Sequence, residues 1–131
     1  MKIVALDHGT ARTGVAVCDE TETIASPLTV IERVGTEAGF AALLSLLRAQ
    51  GPGRVVVGLP LSLDGREHGQ ARAAKAFAAR LRTAVDVPVE LFDERFTTKL
   101  ADQRGGTAAR DARAAATLLE DYLRTVHGQT T

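Results

Sequence analysis

The stretch Lys2-Ile-Val-Ala-Leu-Asp-His-Gly-Thr10 decides the fold. Its four apolar residues, 3–6, run directly into Asp7, and a short apolar run that ends at a turn predicts a strand covered on both faces. Residues 8–10 then predict a tight turn, and Gly14 allows the chain to return as a second strand over 15–18. A carboxylate at the end of a central strand is costly unless cations or hydrogen bonds compensate it. We therefore expect Asp7 to serve a purpose beyond the turn.

The rest of the sequence alternates between helical and strand patterns. After the second strand we expect strands over 24–31, which contains Pro27, over 54–57 and over 88–92. The first expected helix is capped by Thr36 and ended by Gly51, and the second has Phe77 and Leu81 on its inner face. A short helix over 97–101 and a last helix over about 109–123 complete the chain. Antiparallel strands followed by alternating units predict an α/β fold: a five-stranded mixed sheet with helices on both faces.

Length and composition predict a single domain over residues 1–131, with a flexible tail from 128. The 16 basic and 16 acidic residues give no net charge, which argues against broad non-specific binding of nucleic acid. The single cysteine, Cys18, cannot form an internal disulfide and is expected to be buried. No apolar run approaches the ~20 residues of a membrane span, and the first residues lack a signal-peptide pattern. We expect a cytoplasmic protein with no membrane partner.

Three carboxylates occupy positions that the predicted topology brings together. Asp7 ends the first strand, Glu94 follows the fifth, and Asp111 begins the last helix on its apolar side. Converging carboxylates repel one another unless cations are bound, and oxygen-only ligation favours Mg²⁺ or Mn²⁺ over zinc. Two such ions about 4 Å apart stabilise the attacking and leaving oxygens of a phosphodiester. The joint placement of the three acids therefore predicts a metal-dependent phosphodiesterase.

Each acid also has an ordinary explanation. Asp7 is suited to start a turn, Glu94 to pair locally with Arg95, and Asp111 to face a helix dipole. The loop over 58–65 is either a phosphate cradle at a helix start or a common βα loop. His8 and His68 are either proton relays or solvated loop residues, and the second interpretation is favoured.

Four ordered stretches resemble motifs of the YqgF family of Holliday junction resolvases and pre-16S rRNA nucleases. The first is Ala5-Leu-Asp-His-Gly-Thr-Ala-Arg-Thr-Gly-Val-Ala-Val17. The others are Val57-Gly-Leu-Pro-Leu61 with Asp64-Gly65, then Asp93-Glu-Arg-Phe-Thr-Thr98, then Asp111 with Ala114-Ala115 and Leu118-Leu119. Small departures occur at His8 and Thr13, where Val or Ile types are more usual, and at Cys18, where Ser is common.

The resemblance implies a ribonuclease H-like fold and an endonuclease that uses divalent ions, Mg²⁺ or Mn²⁺, with two ions expected. It implies cytoplasmic maturation of the 5′ end of 16S rRNA, with Holliday junction resolution as the alternative. It makes Asp7, Glu94 and Asp111 the catalytic, metal-binding triad. Many ribonuclease H-like nucleases carry an acid at the end of the fourth strand, where this chain reads Gly58-Leu-Pro60, so Glu94 must substitute for it.

The remaining candidate residues are donors suited to phosphate. They are Gly9, Thr10, Arg12, Arg95, Thr97 and Thr98 near the acids, and Arg72, Lys75 and Arg82 on one helical face, for which a solvated surface is an equal alternative. Two other classes stay open. Asp7-x-Gly-Thr10 also resembles the phosphate loop of sugar kinases and actin-like ATPases, and a non-catalytic RNA-binding, ribosome-assembly factor would need none of the acids. The expected partner is an rRNA precursor more than a DNA junction, with ribosomal particles as further partners; the sequence leaves monomer and homodimer open.

Overall fold

The computed structural model describes residues 1–60, 69–93 and 108–128. Its elements in chain order are β1 (Ile3–Asp7), β2 (Arg12–Cys18), β3 (Ala25–Glu32), α1 (Glu37–Gln50), β4 (Arg54–Leu59), α2 (Gly69–Arg82), β5 (Val89–Asp93) and α3 (Ala108–Gly128). The strands form one sheet in the order β3-β2-β1-β4-β5. Pairing is antiparallel within β1–β2–β3 and parallel within β1–β4–β5. The predicted five-stranded mixed sheet is confirmed.

The sheet is covered on both faces, which explains the uninterrupted apolar run of β1. Val4 and Leu6 pack with α1 and α2, whereas Ile3 and Ala5 pack with α3, because successive side chains of a strand point to opposite faces. All four residues are at most 1% exposed. The first face also buries Phe40, Leu43, Leu47, Phe77, Ala78 and Leu81, and the second buries Ala115, Leu118, Leu119, Tyr122 and Leu123.

Both ends of α1 have the chemistry that the sequence predicts. The Thr36 side chain accepts a hydrogen bond from the Gly39 amide at 3.1 Å, which satisfies one of the free donors of the first turn. Gly51 ends the helix at φ +60°, a left-handed conformation that suits glycine.

Cys18 is buried, as expected.

The last helix is longer than its apolar pattern predicts. The expected range is about 109–123, whereas α3 spans Ala108–Gly128. Its final turns are polar and are held from outside the helix: His127 Nε2 lies 3.0 Å from Glu22 Oε1 in the β2–β3 turn. Such contacts leave no trace in helical periodicity. Residues 129–131 lie outside the described residues, and the single-domain assignment stays a prediction.

A polar contact fixes α3 against β4 and β5. The Tyr122 hydroxyl donates to Glu90 Oε1 at 2.9 Å and accepts from Arg54 Nη1 at 2.8 Å. The Phe92 ring meets the Tyr122 ring edge-on, with centroids 5.6 Å apart. The helix that carries Asp111 in its first turn is therefore held at both its apolar face and its middle turns.

The edge strand β3 passes through Pro27 without breaking. Proline lacks an amide donor and is tolerated at the edge of a sheet, where β3 lies. The β2–β3 register shifts between Val15 and Ala16. The predicted short helix over 97–101 lies outside the described residues. Among the helices that are described, none has the length and apolarity needed to cross a bilayer.

Candidate active site

Asp7 lies at the carboxyl end of the central strand, as predicted. Ile3 and Ala5, which share its face by strand alternation, pack against α3. Asp7 therefore belongs to the α3 face of the sheet and is the first residue of β1 that is not fully buried. In the β1–β2 ladder it stands directly opposite Gly14.

The first turn of α3 packs directly against the backbone of Gly14. A Cβ at this position would overlap the carbonyl oxygen of Asp111 and lie 3.3 Å from the Ala112 nitrogen. The first turn of α3 thus rests on bare backbone. Because residues opposite each other in an antiparallel pair have Cα atoms about 4.5–5.5 Å apart, Asp7 and Asp111 both adjoin the same glycine. The backbones of these two predicted acids therefore both lie next to Gly14.

In the sequence, Gly14 predicts a reversal of the chain, and its contact with α3 was not predicted. Glycine inside a strand pattern is typical of a close backbone approach, and that feature was available in the sequence. What approaches the glycine is a tertiary fact, since Asp111 lies 97 positions further along the chain.

The carboxylate of Asp111 lies beside a cation from β2. Arg12 Nε is 2.8 Å from Asp111 Oδ2, and the two side chains are 33% and 27% exposed. Within the described residues, Oδ2 is buried and accepts no hydrogen bond, so the N–H is not aligned with it. The contact is a close charge pair with poor hydrogen-bond geometry. This pairing was not predicted, since Arg12 was assigned to phosphate alone.

The third predicted acid, Glu94, lies outside the described residues, together with Arg95, Thr97 and Thr98. The strand before it is described: β5 ends at Asp93, which pairs with Leu59 of β4. Gly58 pairs with Phe92, and Val57 with Leu6, so the carboxyl ends of β1, β4 and β5 lie at one edge of the sheet. No group of three His, Cys, Asp or Glu suited to a metal ion occurs within residues 1–60, 69–93 and 108–128.

The turn after β1 is tight. A Cβ on residue 9 would overlap the carbonyl oxygen of Arg12, so only glycine fits at this position without a shift of the backbone. Thr10 is exposed at the tip of the turn. Their role in holding phosphate stays a prediction.

The favoured interpretation of His8 is correct in part. His8 lies in the loop after β1, but it is half-buried, and its ring stacks on Phe77 of α2 with centroids 4.7 Å apart and planes inclined by 26°. Burial lowers the pKa of His8 below its usual value, and the negative charge of Asp7 only partly opposes that shift. His8 packs on the α2 face, away from the side shared by Asp7 and Asp111. His68 lies outside the described residues.

The three basic residues predicted on one face of α2, Arg72, Lys75 and Arg82, differ in the contacts that the structure describes. The guanidinium of Arg82 donates from Nε and Nη2 to the Val89 carbonyl oxygen, at 3.0 and 2.8 Å, so it ties α2 to β5. That contact was not predicted; whether Arg82, which is exposed, also contacts nucleic acid stays a prediction. Arg72 and Lys75 are exposed on the same helix. Their contact with phosphate stays a prediction.

A depression of about 670 Å³ lies at the opposite end of the sheet. It is lined by the β2–β3 turn and the end of α3, including Glu22, Arg124 and His127. None of the predicted site residues lines it, so it is distinct from the Asp7–Asp111 edge.

Comparison with solved structures defines the class of fold. The RuvC structure from Thermus thermophilus matches with a TM-score of 0.57 at 19% identity, covering 98% of this chain and 97% of that chain. Thermus thermophilus RuvC in complex with a Holliday junction substrate matches with a TM-score of 0.56 at 21% identity, covering 98% and 96%. The fold is ribonuclease H-like, as the resemblance implied.

Comparison of sequences gives the family. The family model described as "RuvX: Holliday junction resolvase" matches residues 1–125. Two relatives named "Putative pre-16S rRNA nuclease" are each 44% identical over 132 residues: one from Anaeromyxobacter sp. (strain Fw109-5), covering 94% of this chain and 96% of that protein, and one from Thermus thermophilus, covering 94% and 97%. The chain belongs to the RuvX family, the nuclease family that the motifs identified as YqgF.

Proposed function

We propose that this chain is a metal-dependent endonuclease that hydrolyses phosphodiester bonds, with Asp7, Glu94 and Asp111 as its catalytic, metal-binding acids. The observation that carries the proposal is the meeting of Asp7 and the start of α3 at Gly14. Two carboxylates from opposite ends of the chain are costly to place together unless positive charge is supplied between them.

The donors that are described fit a hard divalent cation. Carboxylate oxygens are the ligands that Mg²⁺ and Mn²⁺ prefer. Asp111 Oδ2 is a buried acceptor that makes no hydrogen bond with the described residues, although Arg12 Nε lies 2.8 Å away, so no aligned donor occupies its lone pairs. Glu94 would complete the set for two ions. Such a pair, when bound, stabilises the entering and departing oxygens of an in-line displacement at phosphorus.

The other candidate residues hold the substrate in this proposal. Arg12 and Arg95 clamp the phosphate flanking the cleaved bond, because a guanidinium offers paired donors to phosphate oxygens. The Gly9 amide and the Thr10, Thr97 and Thr98 hydroxyls supply further donors. Arg72 and Lys75 lie on the exposed side of α2 and contact the nucleic-acid backbone further out.

The proposed substrate is precursor 16S rRNA, cleaved at its 5′ end in the cytoplasm, on or near ribosomal particles. The support is the name of the relatives, which match nearly the whole chain at 44% identity. Hydrolysis adds water across one phosphodiester: a new P–O bond forms, the bond to the 3′ oxygen breaks, and that oxygen takes up a proton.

The test is cleavage of three substrates with and without Mn²⁺: a precursor rRNA fragment, a linear duplex and a four-way DNA junction. We expect Mn²⁺-dependent cleavage of the rRNA fragment and its loss in Asp7→Asn, with a melting temperature that is unchanged or higher because a repelling charge is gone. Asp86→Asn is the matched control, since Asp86 is exposed and precedes β5, at the end of that strand remote from this edge. Unchanged cleavage by Asp7→Asn would remove Asp7 from the chemistry.

Holliday junction resolution is the second candidate, supported by the description of the family model. A resolvase cuts two strands of a four-way junction and needs two sites in one assembly, so it requires a homodimer. Preferential junction cleavage by a dimer would favour this candidate over rRNA maturation. RNA binding that survives loss of all three acids, without any cleavage, would instead favour a non-catalytic assembly factor.

A further inference from the structure

Arg12 has two candidate partners, the Asp111 carboxylate and a substrate phosphate, and it cannot contact both at once. Its Nε lies 2.8 Å from Asp111 Oδ2, the buried oxygen that the proposed function assigns to a metal ion. A divalent cation and a guanidinium at one carboxylate oxygen repel each other, so binding of the metal must weaken the Arg12 contact. Arg12 also begins β2 immediately before Thr13 and Gly14, which places it at the edge where substrate would lie.

We propose that Arg12 is an exchangeable counterion that couples metal binding to substrate binding. It neutralises Asp111 when no metal is present, leaves that carboxylate when a divalent ion binds, and then contacts a substrate phosphate. This inference rests on the proposed function and adds an order of events to it.

The geometry of the pair favours exchange. The Arg12 side chain is one-third exposed, and its Nε–H is not aligned with the oxygen it approaches. A partly exposed and misaligned ion pair contributes little stability, so its loss is easily offset by a divalent ion. Arginine keeps its charge at any physiological pH, and its planar fork matches phosphate better than it matches a single carboxylate oxygen. The side chain is therefore suited to leave Asp111 for phosphate.

Coupling of this kind is reciprocal and measurable. Removal of Arg12 eliminates a competitor of the metal, so Arg12→Gln should bind Mn²⁺ about twofold to fivefold more tightly than the natural chain. If Arg12 instead only orients Asp111 for the metal, the same substitution weakens Mn²⁺ binding. Isothermal titration of Mn²⁺ into each protein separates the two cases without any activity measurement.

Salt dependence of nucleic-acid binding provides the second readout. Each phosphate contact contributes about 0.7–0.9 to the slope of log K against log salt. With Mn²⁺ present, Arg12→Gln should reduce the slope by about one contact; without Mn²⁺, the two slopes should agree, because Arg12 is then engaged with Asp111. The probe is the precursor rRNA fragment, titrated by fluorescence anisotropy at low temperature and checked on gels for intact substrate.

Two further variants complete the design. Arg48→Gln removes the same charge from the exposed side of α1 and should change neither readout. Arg12→Lys keeps the charge and should retain the Mn²⁺-dependent slope. Equal or weaker Mn²⁺ binding by a folded Arg12→Gln protein, or a slope difference that is the same with and without Mn²⁺, would overturn the inference while leaving the nuclease proposal intact. A natural chain that binds no Mn²⁺ would overturn both.

Discussion

The substitution Gly14→Ala tests how the fold assembles the acid pair. The added methyl group would occupy the position of the Asp111 carbonyl oxygen, and the obstacle is backbone, which has no rotamer to change. The first turn of α3 must therefore move away from β2. Overpacking of this kind costs about 1–3 kcal/mol, and the lower entropy of the unfolded alanine chain returns about 0.4–1 kcal/mol. The difference is a net loss of up to about 2.6 kcal/mol; a loss of about 1–2 kcal/mol would lower the melting temperature of a chain of 131 residues by roughly 3–10 °C.

The displacement of Asp111 should also weaken the metal site. Groups that only orient a metal ligand typically contribute about 10–100-fold to affinity, so we expect Mn²⁺ binding to fall by about tenfold or more. Calorimetric melting and Mn²⁺ titration of the same samples measure both effects. The matched control is Gly35→Ala, since a Cβ at Gly35 meets no atom within 4 Å. If Gly14→Ala melts and binds Mn²⁺ as Gly35→Ala does, α3 does not pack against Gly14 and the glycine does not position Asp111.

Two further substitutions test contacts away from the acids. Tyr122→Phe keeps the ring but removes the hydroxyl that joins Glu90 to Arg54, so chemical denaturation should show a loss of about 1–3 kcal/mol; a loss below ~0.5 kcal/mol would show that water replaces the hydroxyl. Glu22→Gln tests pH dependence: the amino-terminal ammonium group, first, and His127 hold the pKa of Glu22 below its ordinary 4.5. The stability that Glu22 adds is thus present above pH 4.5 and is lost as the pH falls through the lower, folded-state pKa. Melting curves of the two proteins should differ at neutral pH and converge in acid; a gap that widens in acid would contradict this.

Much of the fold could be predicted from local chemistry. The apolar run of β1 indicated a strand buried on both faces, and Thr36 and Gly51 marked the ends of α1. These features depend on neighbouring residues in the chain, which the sequence displays. The length of α3 could not be predicted in this way, because Glu22, which also pairs with the amino-terminal ammonium group, contacts His127 in its last turn from across the molecule.

In the candidate site, too, local patterns predicted some features, whereas contacts between distant parts of the chain were not predicted. Helical spacing placed Asp111 towards the sheet, and the strand end placed Asp7 at the edge. The approach of the Asp111 backbone to β2 depends on Gly14, and the Asp111 carboxylate is paired with Arg12. Neither contact could be predicted, because Asp111 lies far along the chain from both residues. The contact of Arg82 with β5 could not be predicted for the same reason, since its partner is a backbone oxygen that only the packing of α2 on β5 brings near.

Shared binding of divalent ions by Asp7 and Asp111 can be measured by titration of Mn²⁺ followed by electron paramagnetic resonance, which counts the ions and gives their affinity for the natural chain, Asp7→Asn and Asp111→Asn. We expect saturable Mn²⁺ binding by the natural chain and a loss of at least one ion, or a large drop in affinity, in each single variant, with Asp86→Asn unchanged. Full Mn²⁺ binding by either Asp7→Asn or Asp111→Asn would show that the two acids do not share an ion.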